Sequence, residues 1–383
     1  MAKTALVTGA SGQDSRYLID LLRRQGYEVH AQSRRFPRPG TAHEDVRWHV
    51  GELTDSAFLE ELIAGNELDE IYNLAAVSRP ILSWQVPRET FEINAFLPQA
   101  ICELLVKHRR DGRLFQASSS DIFGGSFSER QDEHTHCEPK SPYGVAKLYG
   151  HRIIGAYRKH YGLHVCSGIM FNHESPYRPL TFVSQKIAYG AAAAARGLKN
   201  TRELDERGRP ILQDGKLLLG DIGVRRDFGF AGDYAEAMLL ILRHPTPDDY
   251  VIGTGEDHSI QEFCEIAFQS VGLDWTDYVS VDPKLIRKTD NHYTRANPDK
   301  LRSAFGWRPK VAFPRIGDNH GSGAAQAARE RNDVGSSAEQ HALILRKVEV
   351  KLISPRVLLH HLRGILAEWV SLGRLFADPV KSA

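Results

Sequence analysis

The chain has 383 residues, of which 42% are hydrophobic and 25% charged, a composition typical of a folded protein with one large or two modest domains. The formal net charge of +1 excludes the overall field that favours nucleic acid or an anionic membrane. No apolar run is long enough to cross a bilayer, and the chain opens on a strand without a leader, so we expect a cytoplasmic protein. The scattered cysteines predict reduced thiols and no metal site: Cys102, Cys137, Cys166 and Cys264.

The first predicted elements form a dinucleotide-binding unit. A buried strand over residues 2–8 leads into Gly9-Ala10-Ser11-Gly12-Gln13-Asp14-Ser15, and an amphipathic helix follows. A glycine turn lets the backbone approach a pyrophosphate, while the helix N-terminus supplies N–H donors and the positive end of a dipole. Serine replaces the third glycine of this motif, which normally permits close packing of helix on strand. A plain strand–turn–helix is the alternative interpretation.

The second predicted strand, residues 28–32, ends in Ser33-Arg34-Arg35. An acidic residue at this place would hold a ribose 2′-hydroxyl, whereas arginine suits a 2′-phosphate. The pair Arg34 and Arg35 therefore predicts NADP rather than NAD. Two solvated loop arginines are the alternative.

Strands and helices continue to alternate up to residue 170. The later strands are predicted at 46–50, 70–74, 113–117 and 164–170, with helices at 56–64, 88–108 and 142–161. This alternation predicts an α/β fold with a Rossmann-type doubly wound parallel sheet, whose chemistry lies at the carboxyl ends of the strands. Three polar segments follow such ends: Gly51–Asp55, expected against an adenine, Ser118–Asp121 and Phe171–Glu174.

The helix predicted at 142–161 carries a tyrosine and a lysine one turn apart. Ser141 is a predicted N-cap and Pro142 the first helical residue, which places Tyr143 and Lys147 on the same face. An ammonium near a phenol favours the phenolate, so we expect Lys147 to lower the pKa of Tyr143. Such a tyrosine can take the proton of a substrate hydroxyl while hydride leaves the carbon. Tyr-x-x-x-Lys also occurs on ordinary helix faces, but the strand ends nearby favour a catalytic pair.

The second half changes character after Pro176. We expect a cofactor domain over 1–170, a smaller α/β substrate-binding domain over 171–313, and a helix at about 231–243 that packs back on the first domain. Residues 200–216 are predicted to be a polar surface excursion. Residues 314–383 are predicted to contain a flexible linker and an amphipathic helix, which covers its own core or forms a dimer seam.

Longer motifs discriminate better than the glycine turn or the Tyr/Lys pair. The most specific are Phe-Asn-His-Glu-Ser-Pro at 171–176 and Arg-Asp-Phe-Gly-Phe-Ala-Gly-Asp-Tyr at 226–234. With the stretches Ala117–Gly124 and Ser141–Tyr149, they make the chain resemble the extended short-chain dehydrogenase/reductases, and among them the GDP-mannose 4,6-dehydratases. The resemblance implies conversion of GDP-D-mannose to GDP-4-keto-6-deoxy-D-mannose and water, with NADP recycled within each turnover.

The resemblance also implies roles for individual residues. The catalytic set is Ser119, where the family usually has threonine, Asp121, where it has glutamate, Tyr143 and Lys147. The cofactor set adds Gly9, Ser11, Gly12, Gln13, Asp14, Arg34, Arg35, Glu52, Leu53, Ala75 and His173. The substrate set is Asn172, Lys186, Arg226, Arg287 and Asp290. Asp121 is one methylene shorter than glutamate, so the backbone compensates, the enzyme is slow, or the chemistry stops at the ketone.

Three other functions stay open from the sequence. The chain could be another NADP-dependent reductase or epimerase of GDP-sugars, for which Asp121 would be dispensable. It could act on a different GDP-hexose or heptose. It could also be a catalytically impaired NADP-binding homologue. Family members are commonly oligomeric, so we expect a homo-oligomer.

Overall fold

The computed structural model describes residues 2–36, 45–125, 129–286 and 293–313, all within one compact unit, Met1–Phe313. The strands are β1 (Thr4–Thr8), β2 (Glu28–Ser33), β3 (Val46–Val50), β4 (Glu70–Asn73), β5 (Arg113–Ala117), β6 (Val165–Met170), β7 (Asn172–Glu174), β8 (Leu212–Gln213), β9 (Lys216–Leu219), β10 (Arg225–Arg226), β11 (Phe228–Phe230), β12 (Asp249–Ile252), β13 (His258–Ser259), β14 (Val279–Val281) and β15 (Tyr293–Thr294). The α-helices are α1 (Gln13–Arg24), α2 (Ser56–Ala64), α3 (Pro80–Ser83), α4 (Pro87–Phe91), α5 (Leu97–His108), α6 (Pro142–Tyr161), α7 (Val183–Ala195), α8 (Ala231–Arg243), α9 (Ile260–Gln269) and α10 (Asp299–Phe305).

The central sheet contains seven of these strands in the order β12-β6-β5-β4-β1-β2-β3. All neighbouring pairs are parallel, with Thr8 of β1 opposite Asn73 of β4. The chain order reverses between β1 and β4, which opens a crevice at the carboxyl edge of the sheet. This architecture confirms the Rossmann-type fold predicted from the sequence.

Helices cover both faces of the sheet, which explains why most residues of its inner strands are buried. Ala5 and Val7 of β1 belong to one buried cluster, together with side chains of α1 and α8. Leu6, which points the other way, belongs to a second cluster with side chains of α2, α5 and α6. Helix α8 therefore packs on the same face as α1.

The long helix predicted at residues 88–108 is interrupted. It consists of α4, a π-helix over Glu92–Phe96 and α5. Pro98 cannot donate to the carbonyl of Asn94, and a proline ring inside an α-helix crowds that carbonyl, so one wide turn absorbs the conflict. Asn94 is also held in place, because its side chain bonds the backbone N and O of Val77 at 3.0 and 3.1 Å.

Beyond β6 the chain builds a second group of elements around its own buried cluster, formed mainly by α7, α9, β8 and β9. The predicted surface excursion at 200–216 is wrong in part, because Ile211 and Leu212 are buried in this cluster. A fully buried carboxylate, Asp227, accepts bonds from the backbone N of Thr254, Gly255 and Ala296 at 2.8–3.1 Å. It fixes the end of β10.

None of the described helices combines the length and the apolar content that crossing a membrane requires. The predicted linker and helix of residues 314–383 lie outside the described residues.

Candidate active site

The glycine turn after β1 packs tightly on the turn after β4. Gly9 has φ of +64°, and a Cβ built on it would lie 2.9 Å from the backbone N and Cα of Ala75. Ser15 takes the third position of the motif and donates through Oγ to the carbonyl of Gly9 at 2.9 Å, so the serine closes the turn. Helix α1 begins after Gly12 with no side-chain cap, which leaves its first-turn N–H groups available to an anion.

Helix α1 is locked to the segment after β6 by two of its first residues. Gln13 donates through Nε2 to the carbonyl of His173 at 2.9 Å, and Asp14 Oδ2 lies 3.0 Å from Nε2 of His173. Burial alone would raise the pKa of Asp14, but the charge and hydrogen bond of His173 outweigh it and lower the pKa below its usual value. The same contact raises the pKa of His173 against the effect of burial.

The residues predicted to hold the adenosine end lie at the carboxyl ends of β2 and β3. Gln32 connects them to the glycine turn, since its side chain bonds the N of Gly9 at 3.2 Å and the O of Gly51 at 2.8 Å. Arg34 is exposed, with Nη1 3.6 Å from Oε1 of Glu89. Of the other predicted cofactor residues, Ser11 and Gly12 follow β1, Arg35 follows β2, Glu52 and Leu53 follow β3, and Ala75 follows β4.

Helix α6 begins as predicted and carries Tyr143 and Lys147 inward. Ser141 Oγ accepts a bond from the N of Gly144 at 3.1 Å, and Tyr143 and Lys147 are both buried. Lys147 Nζ donates to the carbonyl of Ala117 at 2.9 Å and lies 5.9 Å from the centre of the Tyr143 ring. The helix and β5 therefore hold the ammonium beside the phenol.

A short 3₁₀-helix, Ser120–Phe123, follows β5, and its start brings Ser119 and Asp121 to the region of Tyr143 and Lys147. Ser119 caps it, with Oγ accepting from the N of Asp121 at 3.2 Å. A Cβ on Gly144 would lie 2.8 Å from the carbonyl O of Asp121, so glycine allows α6 to approach this turn closely.

The electrostatics of Tyr143 differ from the sequence expectation. Burial, and next the charge of Asp121, raise the pKa of Tyr143 above its ordinary value, while a hydrogen bond with Ser119 acts in the opposite direction. The pKa of Tyr143 therefore lies above its ordinary value in the chain by itself, whereas the sequence predicts a lowered value. Burial instead lowers the pKa of Lys147 to about 8.

A cavity of about 550 Å³ at the carboxyl edge of the sheet is lined by every predicted catalytic residue and by some of the predicted binding residues. Those that line it are Asp14, Ser119, Asp121, Tyr143, Lys147, Asn172, His173, Lys186 and Arg226. The glycine turn and the ends of β2 and β3 lie at the same edge of the sheet but are not part of the cavity lining. Arg287 and Asp290 lie outside the described residues.

Arg178 and Glu206 are two of the charged lining residues that were not predicted. Arg178 lies with its guanidinium 3.8 Å from the centre of the Phe182 ring and Nε 3.3 Å from Glu174 Oε2. Glu206 faces Lys186 from the segment predicted to be a surface excursion. Arg178 follows the Phe-Asn-His-Glu motif by a few residues, which was a usable signal, whereas Glu206 had none in the sequence.

The residues of this edge fit a dinucleotide. Ser118 Oγ and Asp14 Oδ1 are buried without a hydrogen-bond partner, and both residues line the cavity. Unsatisfied buried polar atoms are rare, so a polar ligand is the natural partner. The uncapped start of α1 and the close Gly9 turn complete a seat for its phosphates.

The buried ammonium of Lys147 is expected to reduce the stability of the ligand-free protein. Its pKa falls from 10.5 to about 8 on folding, so the unfolded chain binds more protons between these values, and the free energy of unfolding rises as pH rises through that window. Below pH 8 the cost of burying the charge is present in full. We expect Lys147→Met to raise the free energy of unfolding at pH 7 by about 1–3 kcal/mol, measured in urea, and the advantage to shrink towards pH 10.5. A less stable variant at pH 7 would contradict this.

Comparison with known proteins gives consistent results over most of the chain. A family model described as GDP-mannose 4,6 dehydratase matches residues 6–318. GDP-mannose 4,6 dehydratase 1 of Arabidopsis thaliana is 37% identical over 331 residues, which cover 82% of this chain and 87% of that protein. GDP-mannose 4,6-dehydratase of Vibrio cholerae is 32% identical over 352 residues, covering 81% and 91%.

One solved structure, UDP-glucose 4-epimerase of Thermus thermophilus in complex with NAD, is 25% identical, with a TM-score of 0.69 and coverage of 81% of this chain and 95% of that one. Its likeness lies in the fold described above.

Proposed function

The chain belongs to the GDP-mannose 4,6-dehydratase family, and we propose that it converts GDP-D-mannose to GDP-4-keto-6-deoxy-D-mannose and water. The observation that carries this proposal is the content of one cavity. Tyr143, Ser119 and Asp121 line it together with the cations Lys186 and Arg226. The first three supply the proton transfers that a dehydration needs, and the cations suit a diphosphate.

The first task of the site is to activate the sugar 4-hydroxyl. Tyr143 is the base that takes the proton of this hydroxyl, and the hydroxyl of Ser119 donates to the oxygen as it becomes a carbonyl. A bound nicotinamide would accept hydride from C4 and return it at C6. Lys147 holds an ammonium beside the phenol, at 5.9 Å from its ring centre, which stabilises negative charge on the phenol oxygen.

The second task is the loss of water across C5 and C6. A ketone at C4 acidifies the C5 proton, so a carboxylate of ordinary strength can remove it. Asp121 is the carboxylate at this place, and after taking the C5 proton it can protonate the C6 hydroxyl as that group leaves. When hydride is returned at C6, C5 regains a proton, which balances the proton that Tyr143 took from the 4-hydroxyl. Its backbone is held by the Ser119 cap and by α6 at Gly144, which fixes where the shorter side chain reaches.

The diphosphate is proposed to lie between α7 and β10. Lys186 and Arg226 line this part of the cavity, and Asn172 follows β6 beside them. A guanidinium fork and an ammonium bind phosphate oxygens through charge-assisted bonds. Arg287 and Asp290 are proposed to join them on the strength of the sequence resemblance alone.

For the cofactor we propose NADP. Arg34 and Arg35 follow β2, where an acidic residue would select NAD. The double variant Arg34→Ala/Arg35→Ala is expected to weaken NADP binding about 10- to 100-fold and to leave NAD binding nearly unchanged, as measured by fluorescence titration. Equal losses for the two cofactors would contradict the assignment, and the pair Arg23 and Arg24 in the last turn of α1 offers a control of the same charge.

The direct test of the proposed function uses the purified chain with NADP and GDP-mannose. The expected product is lighter than the substrate by one water molecule in a mass spectrum, with no net reduction of NADP. GDP-mannose that is recovered intact, or is reduced in step with NADPH consumption, would exclude the dehydratase.

A further inference from the structure

The segment 200–216 forms one wall of the cavity through a tight turn at residues 205–209. Asp205 is buried, and its Oδ1 accepts from the backbone N of Arg207 at 2.9 Å and of Arg209 at 3.0 Å. The guanidinium of Arg209 bonds Asp205 Oδ2 at 3.0 Å and reaches Asp282 at 3.4 Å. Arg207 donates to the carbonyl of Lys284 at 2.8 Å. The turn is therefore held by hydrogen bonds within itself and by bonds to Asp282 and Lys284.

Glu206 stands at the inner corner of this turn and faces Lys186. Its side chain is 11% exposed, and its two carboxylate oxygens lie 3.5 and 3.3 Å from Lys186 Nζ. An ammonium has three donors, so Lys186 can hold Glu206 and still donate to a phosphate. A carboxylate accepts about four hydrogen bonds, so Glu206 keeps acceptor capacity towards the cavity that it lines. Only a hydrogen-bond donor of the ligand can be placed there without repulsion.

The position of Glu206 along the cavity identifies that donor. Tyr143 and Asp121 lie at the sheet edge, whereas the turn packs beside Asp282 and Lys284, outside the central sheet. A nucleoside diphosphate sugar is linear, so with its hexose at Tyr143 and its diphosphate at Lys186 the nucleoside extends past Lys186. The ribose hydroxyls are the donors that follow the phosphate by one ester linkage. We propose that Glu206 accepts hydrogen bonds from the ribose hydroxyls and makes the site selective for ribonucleotides; this rests on the proposed function.

The rigidity of the turn distinguishes this role from that of a displaceable counter-ion. The bonds of Asp205, Arg207 and Arg209 hold the backbone of the turn in place, so the backbone of Glu206 stays at the cavity wall when a ligand binds. The lysine contacts of 3.3 and 3.5 Å are also long for an ion pair, so Lys186 is not committed to Glu206 alone.

The test compares GDP with 2′,3′-dideoxy-GDP by calorimetry on the NADP-loaded full chain, which needs no turnover. We expect wild type to bind the dideoxy nucleotide about 10- to 100-fold more weakly, because a hydrogen bond to a charged group is lost. Glu206→Ala is expected to bind both nucleotides alike, at the wild-type affinity for the dideoxy form. Glu203→Ala, on the same segment with an exposed side chain, is expected to behave as wild type.

The remaining outcomes of this binding experiment each exclude the ribose contact, the proposed function or both. If Glu206→Ala still prefers GDP, or loses affinity for both nucleotides equally, Glu206 only positions Lys186 and the proposal is overturned. Tighter binding of GDP by this variant overturns it too, because Glu206 then repels the diphosphate. Normal discrimination by wild type together with no turnover of GDP-mannose rejects the proposed function and keeps the ribose contact. Absence of GDP binding by wild type rejects both.

Discussion

Replacing Tyr143 by phenylalanine is expected to lower turnover of GDP-mannose by about 10²- to 10⁴-fold, because this change removes the proposed base for the proton of the 4-hydroxyl. The ring fills the same buried space, so the fold and cofactor binding should stay intact. The measurement is kcat for loss of water, with NADP affinity measured on the same sample.

The matched control is Tyr149→Phe on the same helix. Tyr149 is 38% exposed, and its hydroxyl bonds Gln99 on α5, away from the cavity. Turnover of this variant should equal that of wild type. If Tyr143→Phe kept more than about a tenth of wild-type turnover, the tyrosine would not be the base.

The second large effect is expected for Asp121→Asn. An amide cannot take the C5 proton, so the loss of water should fall by about 10²- to 10⁴-fold. Oxidation at C4 does not need this carboxylate, so one equivalent of NADPH should still form when substrate is added to the NADP-loaded protein. Absorbance of NADPH and mass analysis of the sugar separate the two steps, and exchange of the C5 proton with deuterated water should stop.

The outcome for Asp121 also separates the dehydratase from a reductase or epimerase of GDP-sugars. Unchanged turnover of Asp121→Asn would remove the acid–base role and favour those enzymes. Asp121→Glu is the control that keeps the carboxyl group, and it should retain dehydration. The charge of Asp121 also raises the pKa of Tyr143, so the asparagine variant should shift the pH dependence of C4 oxidation to lower pH.

The strands of the sheet could be predicted from the sequence because their bounds depend on residues that are close together in the chain. β3 and α6 have the predicted bounds, because the turns and caps beside them are local features of the sequence. The cap of Ser141 on Gly144 is such a local bond. The glycine turn was equally accessible, because a backbone with φ of +64° at Gly9 favours glycine.

Features that depend on distant partners could not be predicted. Asp14 and His173 are 159 positions apart, and their bond lowers the pKa of one group and raises that of the other. The spacing of Tyr143 and Lys147 indicated a pair but not its burial, which decides both pKa values. The contact of Glu206 with Lys186 likewise depends on how a turn folds over α7.

The central claim is that hydride leaves C4 and returns to C6 of the same sugar molecule while that sugar stays in one cavity. GDP-mannose that carries deuterium at C4 and ¹³C in its hexose ring tests it most directly, in a mixture with unlabelled substrate and with catalytic NADP. The account predicts a 4-keto-6-deoxy product whose deuterium has moved to C6 of the same molecule. Deuterium that appears in free NADPH, that scrambles between molecules or that stays at C4 would contradict it.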